Sequence, residues 1–141
     1  MEYLQRLGFP GDWEHADRAL QVVRQHGFVV SPAAELMVRQ FGGLNTLNNR
    51  PPEIRDLEGV MHGPTRFEVN PFEACLSREE VDEMEAFHGV TGLCPVGFNY
   101  TGVGVMCINP LGHVYFEESP WGYAGTPTEV IVRLLTGKPN I

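Results

Sequence analysis

Residues 93 to 116 read LCPVGFNYTGVGVMCINPLGHVYF. Three apolar or β-branched runs, Leu93 to Phe98, Val103 to Ile108 and His113 to Phe116, are separated by Asn99 to Gly102 and by Asn109 to Gly112. Asn, Gly and Pro between such runs supply turn conformations, so the stretch predicts a three-stranded antiparallel meander. A sheet of this kind has an apolar face to cover, and the flanking sequence must supply what covers it.

The flanks read as helices. Asp12 is the expected N-cap of a first helix running to His26, with Trp13, Ala16, Leu20 and Val23 on one face and Gly27 ending it. Ser31-Pro32 opens a second, in which Ala34, Met37, Val38 and Phe41 recur at helical spacing before Gly42-Gly43. Ser77 caps a third, with Glu80 completing a capping box, and Val81, Met84 and either Phe87 or His88 form a narrow apolar stripe. Thr126-Pro127 with Glu129 starts a fourth, faced by Val130, Ile131, Leu134 and Leu135 and closed by Gly137 and Pro139. Residues 65 to 69 alternate as a strand, and 44 to 63 show no sustained period and read as a long surface connection. The expectation is one α+β domain over residues 1–141, without internal repeat.

Charge narrows the function. The net charge is −8, which argues against nucleic-acid binding, because phosphates are met with Lys and Arg. Between Glu53 and Glu85 ten acids face three arginines, so nearly all the imbalance lies in this third of the chain. No apolar run approaches the roughly 20 residues of a membrane-spanning helix, and the first residues lack a basic start followed by an apolar stretch. A cytoplasmic protein, neither exported nor embedded, is expected.

No reaction chemistry emerges. His15, His26, His62, His88 and His113 fall on five different elements without metal-ligand spacing. His26 and His88 each precede a Gly at a helix end, where an imidazole meets orphan carbonyls, while His113 follows Gly112 in a turn. Cys94 and Cys107 lie inside apolar strand runs and are expected to be reduced and buried; Cys75 precedes an acidic helix whose carboxylates would raise its pKa. GVGV at 102 to 105 lacks the Lys and following helix of a phosphate loop. No catalytic residue, metal ligand or cofactor is expected.

Two features suit protein binding. Glu79, Glu80, Asp82, Glu83 and Glu85 are expected to fan around the solvent side of the third helix, either as a merely solvated face or as a single-sign surface that steers a basic partner. Glu117, Glu118, Trp121 and Tyr123 sit in a turn-rich loop, where Trp121 either caps the core or joins Tyr123 in a binding hot spot.

Several segments together resemble a known family. LGFPG at 7 to 11, GFVVSPAAELMVRQFGGL at 27 to 44, FEVNP at 67 to 71, LCPVG at 93 to 97, INPLGHVYF at 108 to 116 and LLTGKP at 134 to 139 are similar, in order and spacing, to the third group of the SUKH superfamily. The resemblance implies helices packed on a central, largely antiparallel sheet, no cofactor and no catalytic residue. It also implies that Phe41, Gly42, Gly43, Pro95, Gly97 and Gly112 are scaffold positions. Members are bacterial immunity proteins that neutralise a polymorphic toxin, often a nuclease or deaminase, and relatives regulate fungal cell-wall assembly. The expectation is therefore an immunity protein binding a cognate toxin through Glu79, Glu80, Glu83, Glu117, Glu118, Trp121 and Tyr123. A signalling or scaffold module is the alternative, and a small hydrolase using His113 or Cys75 a third.

Overall fold

A computed structural model describes residues 5–46, 54–55, 61–62, 66–71, 77–100, 104–117 and 125–136. The elements are α1 (Ala16–Gln25), α2 (Pro32–Phe41), β1 (Ile54–Arg55), β2 (Met61–His62), β3 (Phe67–Glu68), α3 (Arg78–His88), β4 (Cys94–Asn99), β5 (Gly104–Ile108), β6 (Val114–Phe116) and α4 (Pro127–Thr136). The arrangement is α+β. The expected meander is present, and β3 adds to it, giving a four-stranded antiparallel sheet in the order β3-β4-β5-β6.

Strands β4 and β5 are buried almost without alternation, so both faces of the sheet centre are covered. Cys107 shows one of these contacts, its Sγ lying 3.9 Å from Met84 Sδ of α3. Leu20, Met37, Phe41, Leu44, Phe67, Met106, Ile108 and Ile131 are all fully buried in a continuous apolar core. Each such side chain contributes roughly 1.5–3 kcal/mol on leaving water.

The family-like motifs acquire physical reasons here. In the β5–β6 turn the buried Asn109 accepts through Oδ1 from the N–H groups of Leu111 (3.1 Å) and His113 (2.9 Å), and Gly112 takes φ +87°. A side chain at Gly112 would be strained in that region of backbone space. The ladder slips register between Pro95 and Gly97, next to the strand residue that has no N–H to pair. A Cβ at Gly97 would collide with the Glu68 carbonyl of β3, so the Pro-Val-Gly run sets how closely two strands approach.

The first helix is shorter than expected. It starts at Ala16 with His15 at the N-cap position, not at Asp12, and Trp13 lies outside it. The competing demand comes from α2, whose last carbonyls have no partner within their own helix. Gly11 N–H donates to Gln40 O (3.0 Å) and Trp13 N–H to Arg39 O (2.9 Å), which holds residues 11 to 13 against the end of α2. The Arg39 guanidinium, clasped by Asp17 of α1 and Glu35 of α2, ties the same two helices together.

Within the stretch from 44 to 63, the described residues 44–46, 54–55 and 61–62 make backbone pairings that the sequence does not suggest. Thr46 N–H donates to Phe67 O and Val69 N–H to Leu44 O, Asn45 bridges Glu68, and β1 pairs with β2 in a short separate ladder. Backbone pairing along β3, together with the Val114–Gly125 bridge beside β6, covers both edges of the sheet.

Candidate functional site

Helix α3 carries the surface of interest. Ser77 is its N-cap: the hydroxyl accepts from Glu80 N–H at 3.2 Å and lies 3.2 Å from the Glu80 carboxylate, so the expected cap is present. Gly89 ends the helix in the left-handed region. Val81 and Met84 face the core, and His88 completes their stripe at the expected seven-residue interval. The two alternatives for the last stripe position are thereby resolved, with His88 inward and Phe87 outward at 68% exposure.

His88 does not serve the carbonyls of its own helix end. Its Nε2 reaches across to Phe116 O at 2.9 Å, and its ring lies 5.1 Å from that of Tyr115. His26 does behave as expected, with Nδ1 2.8 Å from Val22 O at the end of α1. His15 lies 3.3 Å from Glu14, and His113 sits half-buried in the β5–β6 turn; the side chain of His62 lies outside the described residues. Among the described residues no three His, Cys, Asp or Glu side chains converge as a metal site.

The five acids of α3 divide by environment. Glu85 is not on the solvent fan: its side chain is only 15% exposed, and its carboxylate accepts from Leu93 N–H at 3.0 Å, tying the helix to the start of β4. Asp82 is paired with Arg78 at 2.7 Å. Glu80 is occupied by the cap. Glu79 and Glu83, four residues apart on one face, are exposed and make no ion pair with any described residue.

The loop half of the expected surface is only partly described. Glu118, Trp121, Tyr123 and also Cys75 lie outside the described residues. Glu117 is half-buried, and its carboxylate accepts from Val105 N–H at 3.3 Å, which makes it a strand fastener. Cys94 and Cys107 are buried as expected. Burial pushes the Cys107 thiol well above its usual range, with nearby Cys94 adding to the effect, so it is a poor nucleophile.

One shallow groove between α2, the β5–β6 turn and the start of α4 is lined by Ala33, Leu36, Met37, Gly112 and Pro127 and holds about 180 Å³. That is below the few hundred Å³ typical of small-molecule pockets. A family model described as SUKH-3 immunity protein matches residues 7–137. The chain belongs to the SUKH-3 immunity protein family. No curated protein and no solved structure matches it. Within this SUKH-3 chain the motif residues Gly42, Gly97 and Gly112 are packing and turn positions, and Glu79, Glu83 and Phe87 are exposed on α3. The outward position of Phe87 was left open by sequence reasoning, although the spacing of Val81, Met84 and His88 favours His88 for the buried stripe. No described helix is long and apolar enough to cross a membrane.

Proposed function

We propose that this SUKH-3 chain is a non-catalytic immunity protein that binds and neutralises a cognate toxin domain of a polymorphic toxin system in the cytoplasm, the toxin being a nuclease or deaminase. The observation that carries this reading is the outer face of α3, where exposed Glu79 and Glu83 lie beside Glu80 without a cation among the described residues. An enzyme that acts on nucleic acid needs a basic site, and a cluster of carboxylates on a rigid helix offers that site a competing surface. Electrostatic attraction of this kind speeds encounter, which suits an inhibitor that must reach its toxin before damage is done. Glu118, Trp121 and Tyr123 are proposed to extend the contact.

The test is co-production. Cells making the toxin domain encoded beside this gene should survive when they also make this chain and die when it is omitted. Death in both cases would contradict the neutralising role.

A further inference from the structure

Phe87 is a large apolar side chain left 68% exposed at the C-terminal end of an acidic helix. Glu83 is one turn before it and Glu80 two turns before it, so all three share a side of α3. Val29 and Leu111 are more exposed still, but they sit in a loop and a turn away from this face. Isolated apolar residues on a surface are ordinary and need no function. Phe87 differs from them in two physical respects.

The first is that its ring is held. The Phe87 and His88 rings meet edge to face, 4.9 Å between centroids at 83°. His88 is itself fixed by its bond to Phe116 O and by the Tyr115 ring. An aromatic already placed in one orientation loses little freedom on docking, which is where much of the cost of association lies. The second is its charged surround. Glu79 and Glu83 have no described counter-ion, and Arg78, at the start of the same helix, is spent on Asp82 and Glu85. The partner must therefore bring the cations.

Resting on the toxin-binding reading above, we infer that Phe87 is the apolar anchor of the interface and that its partner is a basic protein face bearing an apolar pocket rimmed by Lys or Arg. The carboxylates then set the encounter rate and orientation, and the phenyl ring, once seated and dry, sets the lifetime of the complex. This division of labour is measurable, because the two contributions respond differently to salt.

The probe is the toxin domain encoded beside this gene, inactivated at its catalytic residue and titrated against the full chain at low and at physiological salt. Phe87→Ala should weaken binding about 30-fold or more, the loss expected for a hot-spot residue, mainly through faster dissociation and with the salt dependence unchanged. Phe87→Gln, which keeps a good helix former at the position, should do the same, and thermal melting of both variants should match the parent. Affinity within about threefold of the parent for both folded variants would overturn the anchor role while leaving toxin binding intact. A parent chain that fails to bind the domain at all would overturn the toxin-binding reading, and the anchor with it.

Discussion

The indole of Trp13 lies against Gly42 so closely that no Cβ fits between them: an added atom there would collide with the ring and with the Val38 carbonyl. Gly42 itself has φ −56°, a backbone angle open to any residue, so the demand for glycine is one of space. This contact, with the Gly11–Gln40 and Trp13–Arg39 hydrogen bonds, joins the end of α2 to the segment before α1.

Gly42→Ala should lower stability by about 1–3 kcal/mol, the usual cost of forcing a group into filled space. In a Trp13→Ala background the same substitution should cost less, since one of its two obstacles is gone. A double-mutant cycle by urea denaturation measures this coupling; strict additivity would show that the indole is not what excludes the side chain.

Ser77→Ala removes the hydroxyl that satisfies Glu80 N–H and should cost about 1 kcal/mol of stability. Toxin affinity should stay within about twofold of the parent, because Val81, Met84 and the Glu85–Leu93 hydrogen bond still hold α3 in place. Calorimetric melting and titration on the same sample separate the two quantities.

The raised pKa of Cys107 makes a statement about pH. A free thiol in the unfolded chain ionises near pH ~8.5, whereas the buried thiol keeps its proton to higher pH, so above that point the folded state binds more protons than the unfolded one. Stability is therefore complete at neutral pH and falls as pH rises from about 8.5 toward the folded-state value. In Cys107→Val this alkaline loss should be smaller than in the parent, as read by denaturation at a series of pH values. Identical slopes would contradict the assignment.

How much of this was legible in the sequence depends on whether a feature is local. The meander, the Ser31, Ser77 and Thr126 helix starts and the burial of Cys94 and Cys107 follow from turn chemistry and periodicity within a few residues. The late start of α1 was hidden because it is decided by carbonyls of Arg39 and Gln40, over twenty residues away. The pairing of residues 44 to 46 with β3 was hidden for a related reason: it is made mainly by backbone groups, with the Thr46 hydroxyl accepting from Phe67 N–H, and leaves no alternating pattern of side chains. On α3 the clustering of acids was plain, but their division was not. Glu85 turned out to fasten Leu93, and Phe87 to stand outward, because both depend on what lies beside the helix.

Binding through the outer face of α3 is tested most directly by the salt dependence of toxin affinity in the Glu79→Lys, Glu83→Lys double variant. Both side chains are exposed and unpaired among the described residues, so the fold should be unaffected. The parent should bind more weakly as salt rises, and the double variant should associate at least about tenfold more slowly at low salt with that dependence flattened or reversed. A double variant whose association rate and salt slope equal those of the parent would contradict the account.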